Sequence, residues 1–293
     1  NAGAPAGMAA GASGAQVTIP TVMISQSDGD RLHAALIAGE LELFIGNKAN
    51  FFGADLGISF ADALAPKYAS VPAGVAQNGD EFNFNVGAWV RNWGAQAASG
   101  ITLRAVGAQG ANTPYNDVSD EFSLEPGDSA YIELTPFLLP TYSGTYEFRY
   151  EVNGSATDEF PSDNTISTHF NVGTRLSYGT VDASTGLPVH QSFVQPSGVT
   201  TGYRFCSHFM DPNASRLTVT GIHAAASTQT GGDLTGLALT GTAYSWNAPF
   251  NDLTETLNNT TALDLTELAS ETFYYDNNDL TQQNIHIQFP EPV

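Results

Sequence analysis

From residue 79 onward the chain alternates apolar and polar positions with a period of two, as strands buried on one face do. Over residues 81–90 this places Phe82, Phe84, Val86 and Ala88 on one face, and over 101–106 it does the same for Ile101, Leu103 and Ala105. Residues 122–124 lead into Glu125-Pro-Gly-Asp128 and then 131–134. Pro followed by Gly suits a type II turn, because the third turn residue needs a positive φ. Further alternating runs lie at 146–152 and 166–172. Strands and turns at this spacing predict an antiparallel, immunoglobulin-like sandwich over 79–173.

The same reading predicts a second, jelly-roll-like sandwich over 174–293. Its expected strands are 203–210, 217–223, 237–246, 271–275 and 284–289; in the last, Ile285, Ile287 and Phe289 alternate with His286 and Gln288. The first 46 residues differ. A Gly/Ala-rich stretch (1–16) precedes a β-rich run (17–25), then a helical run at 31–38 and an alternating segment at 40–45. Ser27 or Asp28 can cap the helix, Asp30 suits its first turn, and Gly39 can end it. Residues 47–78 read as a connector with one short helix at 55–64, broken by Pro66 and Pro72. The fold class is therefore mainly β: tandem antiparallel sandwiches preceded by a small partial α/β segment.

Composition adds compartment and partner chemistry. Hydrophobic residues make up 42% of the 293 positions, enough for real cores, whereas charged residues are only 13%. Nine basic residues face 30 acidic ones, for a formal net charge of -21. Such a surface repels polyanions, which excludes nucleic acid as a partner. It suits either solubility or divalent cations. Cys206 is the single cysteine, so no internal disulfide exists; in the apolar run from Tyr203 it reads as a buried core thiol. No segment has the ~20 apolar residues of a membrane span.

Three resemblances bear on organisation. Ile19-Pro20-Thr-Val-Met-Ile24, Asp28-Gly29 and the Leu32/Leu36 helix resemble the C-terminal half of a protease-associated (PA) domain over residues 1–46. That resemblance implies a non-catalytic lid or appendage of the kind found beside peptidase domains. Val90-Arg-Asn-Trp-Gly94, Leu124-Glu-Pro-Gly-Asp128 and Asp158-Glu-Phe-Pro-Ser-Asp-Asn164 resemble the CARDB/immunoglobulin-like adhesion modules that decorate bacterial surface proteins. Residues 174–293 are loosely similar to modules near the C-terminus of large secreted Bacteroidota proteins. The opening Asn1-Ala-Gly-Ala-Pro and the closing Phe289-Pro-Glu-Pro-Val293 read as ends cut from a longer chain.

Candidate chemistry is sparse. His33, His169, His190, His208, His223 and His286 lack zinc-site spacing, although His208 and His223 are placed to meet across adjacent strands. There is no nucleophile elbow and no phosphate-cradling loop. Calcium is the one cofactor worth weighing, because hard cations take 6–8 oxygens from loops. Three segments rich in oxygen donors offer ligands: 116–120 with Asp117 and Asp120, 158–164 with Asp158 and Asp163, and 276–279 with Asp276 and Asp279. Turns bonded to their own backbone explain the same residues. Trp246, beside Asn247-Ala-Pro-Phe250, is a candidate glycan platform, as are Trp89 and Trp93; a core or corner role is the alternative for each. These observations lead to the expectation of a non-catalytic structural or adhesive segment of a large secreted cell-surface or filament protein. Its partners would be other domains, copies of itself, or glycans. One alternative is an accessory region of a secreted peptidase whose catalytic domain lies outside this chain; a weaker one is a carbohydrate-binding module.

Overall fold

A computed structural model describes the protein at residues 24–39, 48–189, 193, 195, 198, 202–228, 231–246 and 265–293. The strand expected at 40–45, most of that at 17–25, His190, and Asn247 to Phe250 lie outside these described residues. Helix α1 (Gln26–Ala38) begins earlier than its apolar pattern implied, and its cap is Ser25 rather than Ser27 or Asp28. Extended Ser25 accepts a hydrogen bond from Asp28 N at 3.1 Å and donates to Asp28 Oδ2 at 2.6 Å. That exchange resembles a capping box. Gly39 ends the helix at φ 75, donating its N–H to the Ala35 and Leu36 carbonyls.

The connector 47–78 lacks the short helix expected at 55–64. It supplies strand β1 (Leu56–Gly57), a 3-10 turn at Phe60–Asp62 and strand β2 (Ser70–Pro72). Residues 55–58 are all buried, and β1 is held by its pairing with a later strand, Leu56 opposite Asn92 and Gly57 opposite Arg91. The predicted sandwich follows: β3 (Phe84–Asn92), β4 (Ala98–Gln109), β5 (Asn112–Val118), β6 (Phe122–Leu124), β7 (Ser129–Phe137), β8 (Gly144–Asn153) and β9 (Thr165–Gly173). One sheet runs β1-β3-β7; the other runs β2-β9-β8-β4-β5, with β6 also on β4. All pairings are antiparallel except β2 with β9. The Glu125–Asp128 turn forms as expected, with Gly127 at φ 81 and Asp128 N bonded to Glu125 O at 3.1 Å.

The alternating rows face one another and build an aromatic core. Phe137 is fully buried, with Phe84, Phe148, Phe170 and Tyr115 centroids 5.0–5.8 Å away. Pairs of this kind contribute about 0.5–1.5 kcal/mol each beyond their buried area. Gly107 makes room, since a Cβ there would lie 2.6 Å from the Phe137 ring. Tyr150 ties the layers together. Its hydroxyl donates to Leu64 O at 2.8 Å and accepts from Gly87 N at 3.1 Å, and burial holds its pKa well above the usual phenol value.

Among its described residues the second region contains two antiparallel ribbons: β10 (Gly221–Ala224) with β13 (Ile285–Gln288), and β11 (Ala238–Trp246) with β12 (Leu265–Tyr274). They face each other where Gly241 lies over Ile222 and Ile287; a Cβ there would meet both at 3.3–3.4 Å. Leu234, Tyr275, Ile285 and Ile287 form the buried centre. Two expectations are corrected here. Residues 203–210 form no strand, and Cys206 is exposed rather than a core thiol. This segment runs along the surface. Its aromatics satisfy one another (Tyr203 and Phe205 at 5.2 Å), and only Phe209 packs against the first core. Arg216 then pairs with Glu81 at 2.8 Å, fastening the segment to the sandwich.

Candidate functional site

The resemblance landmarks converge at one corner of the first sandwich. Asn92, at the end of β3, is 1% exposed and fully bonded. Its Nδ2 donates to Gln96 O and Leu124 O, and its Oδ1 accepts from Gly94 N. Gly94 is required by close approach: a Cβ there would lie 2.7 Å from Gly53 O. The segment 50–57 runs through this corner, with Asn50 N donating to Trp93 O at 2.7 Å and Trp93 N donating to Asp55 O at 2.7 Å. Here the 158–164 loop, a calcium candidate in the sequence, meets it. Asp158 Oδ2 accepts from Leu56 N at 2.7 Å, and Glu159 Oε1 accepts from both Gly53 N and Ala54 N. Asp158 Oδ1 also takes its own turn's Phe160 N.

At the centre of the corner is a cation supplied by the chain itself. Lys48 Nζ lies 2.9 Å from Asp55 Oδ1 and 2.5 Å from Asp163 Oδ2. Its walls are aromatic, with the Phe160 and Trp93 ring centroids 4.9 Å and 5.3 Å from the nitrogen. The Asp55 side chain is 0% exposed. Burial raises its pKa above the ordinary carboxylate value, while the Lys48 hydrogen bond and charge pull it down. Asp55 Oδ2 and Asp163 Oδ1 are buried without a hydrogen-bond partner. Gly57 allows the approach, because a Cβ there would lie 2.5 Å from Asp163 Oδ2. Neither Lys48 nor Asp55 was singled out as a candidate. The available signal was weak: Lys48 is one of two lysines in the chain.

The other acidic candidates fall elsewhere. Asp117 lies within edge strand β5, not in a loop. Its Oδ2 accepts from Thr135 N at 2.8 Å and Thr135 Oγ1 at 2.7 Å, bonds that lower its pKa. Tyr115 donates to Thr135 O at 2.6 Å, so the backbone of the facing edge strand β7 is closed at this point. Asp120 is exposed, and its carbonyl accepts from Ser119 Oγ. Asp276 and Asp279 occupy an exposed turn near Asn277 and Asn278, with Asp279 N bonded to Asn277 Oδ1. Among the described residues, no group of three or more His, Cys, Asp or Glu side chains is placed to share a metal ion.

The aromatic and histidine candidates are also dispersed. Trp246 is half-buried, edge-on to His208 at 5.5 Å. Trp89 is 43% exposed on the outer face of β3, paired with Tyr131 at 5.9 Å, and Tyr131 lies across Gly87. Trp93 serves the corner described above. His208 lies in a segment that forms no strand, and His223 stacks on His286 directly across β10 and β13, at 4.3 Å and 8°. Burial, then Arg175 and His286, lower the His223 pKa.

No family model and no curated protein matches the chain. Solved structures do. The chain is similar to the CARDB domain of a Pyrococcus furiosus protein in complex with di-metal ions, at 16% identity over 42% of this chain and 96% of that one, TM-score 0.30. A solution structure of that domain matches at 15% identity over 42% and 99%, TM-score 0.32. A Paenibacillus sp. cycloisomaltooligosaccharide glucanotransferase complexed with cycloisomaltoheptaose matches at 12% identity over 42% of this chain and 15% of that chain, TM-score 0.27. At these scores the likenesses carry no functional argument, and the sandwich rests on its own strand pairing.

Proposed function

We propose that the chain is a non-catalytic structural or adhesive segment of a large secreted surface protein, with sandwiches that present surface and space neighbouring domains. The supporting observation is how its carboxylates are used. Asp158, Glu159 and Asp163 bind the 158–164 loop to the 48–57 segment, and Asp117 joins the facing edges of the two sheets. Side chains that could serve chemistry are holding backbone in place. Edges closed by side chains also suit a module repeated along a chain, where an open edge would recruit neighbours unselectively. Antibodies against the chain, applied to intact cells of its source, test the reading. Label on unpermeabilised cells or in the medium is expected; label seen only after permeabilisation would sink it.

One observation favours a second reading. The capped helix α1, ended by Gly39, fits the helix that the PA-like pattern requires. An accessory region of a secreted peptidase would carry such a piece. Proteolysis of a general protein substrate by the full-length secreted protein would favour this reading over the first.

A further inference from the structure

The corner around Lys48 is built like a reaction centre for amide formation. We propose that Lys48 and Asp163 condense spontaneously into an intramolecular isopeptide bond, with Asp55 as the catalytic proton carrier. The geometry carries the argument. An amine nitrogen lies 2.5 Å from one carboxylate oxygen and 2.9 Å from a second carboxylate, which is wholly buried. Reacting atoms held this close gain the large effective concentration of an intramolecular reaction.

The surroundings favour the neutral product. Lys48 is walled by Phe160 and Trp93, and two carboxylate oxygens there have no hydrogen-bond partner. A part-buried ion pair beside the wholly buried Asp55, with two carboxylate oxygens unsatisfied, is costly, and condensation converts the pair to an uncharged amide. Both partners are also held by their backbones. Lys48 O accepts from Phe51 N at 2.9 Å, and Asp163 O accepts from Ile58 N at 3.0 Å.

The step balances without an oxidant, reductant or co-reactant. Lys48 passes a proton to Asp55 and attacks Asp163 Cγ through its nitrogen lone pair. A C–N bond forms and the carbonyl electrons move onto oxygen. Asp55 then returns the proton to the departing Asp163 oxygen, while the second proton shed by nitrogen completes the leaving water. Ammonium and carboxylate become amide and one water, and Asp55 is regenerated. Burial supports this role for Asp55 by favouring its protonated form. The product would join the segment before β1 to the turn before β9, closing a loop across the whole sandwich. A covalent tie there would resist pulling.

Intact-mass measurement of the purified chain decides the matter. The wild type is expected about 18 Da lighter than its sequence, one water lost, with tandem mass spectra joining Lys48 to Asp163. Lys48→Ala should show the full sequence mass, and Asp55→Ala should show it or convert slowly. Asp163→Asn should lose about 17 Da instead, because ammonia then leaves. A wild-type chain at full mass overturns the proposal; so does a cross-link mapped from Lys48 to another residue. Neither result bears on the surface-protein reading, which rests on where the carboxylates bond and not on covalent closure.

Discussion

The two β regions begin from similar alternating patterns and end with very different interiors. In the first sandwich, two sheets enclose a continuous core from Leu56 to Val172, with Phe137, Phe148 and Phe170 fully buried within it. In the second, the described ribbons enclose Leu234, Tyr275, Ile285 and Ile287, while Leu268 and Tyr274 face solvent. Hydrophobic stabilisation scales with the apolar area removed from water, and a three-stranded and a six-stranded sheet packed together cover far more of it than two-stranded ribbons. Alternation says which residues can face a core. The number of strands that assemble decides how large that core is.

The sharpest way to break the contrast is Phe137→Ala, which empties the middle of the first core. It should cost about 4 kcal/mol, read as a lower denaturant midpoint for that sandwich, with the second region's transition unmoved. A shared shift would show that the regions unfold as one. Next is Lys48→Met, which removes the amine that ties Asp55 and Asp163, as an ion pair or as the proposed amide. A loss of about 3 kcal/mol is expected, at the low end for breaking a buried pair because Lys48 and Asp163 are 20% and 28% exposed. Asp117→Ala should cost about 1 kcal/mol and open the β7 edge, detectable as concentration-dependent association by light scattering.

Acid should separate the regions more gently. His223 has a folded pKa below its ordinary 6.5, so its unfolded form binds protons first as the pH drops. Its stabilising effect is complete above 6.5 and is lost as the pH falls through the folded value. Asp117, also lowered, begins to act only below 3.8, while Asp55, raised, works in the opposite sense above 3.8. The second region should therefore start to lose melting temperature in mild acid, before the sandwich does, and His223→Gln should remove that early loss. The smallest effect expected is from chelator. With Lys48 at the 158–164 loop, EDTA should move either melt by less than about 1 °C; a larger fall would place calcium there.

Much of the sandwich was legible because each of its strands carries its own signal. Phe82 to Ala88, Ile101 to Ala105, and Tyr146 to Val152 bury the residues that alternation selected. What stayed hidden lacked a local signal. Strand β5 buries only Tyr115 and carries Pro114, so it reads as loop. Strands β1 and β2 are too short for any period, and they exist because β3 and β9 offer them a ladder. The run from Tyr203 to Cys206 is apolar enough for a strand but forms none, and it stays exposed. The Lys48 corner depends on residues separated by 115 positions. No window along the chain contains both.

The sequence by itself determined a mainly β chain, the strand faces of the first sandwich, the Glu125–Asp128 turn and a surface hostile to polyanions. All of these follow from local dihedral preference, period or total charge, which need no knowledge of distant neighbours. Tertiary structure alone decided which carboxylates meet a cation, which edges are closed, and which histidines stack. Those are outcomes of long-range pairing and register, where a shift of one residue turns every side chain to the opposite face.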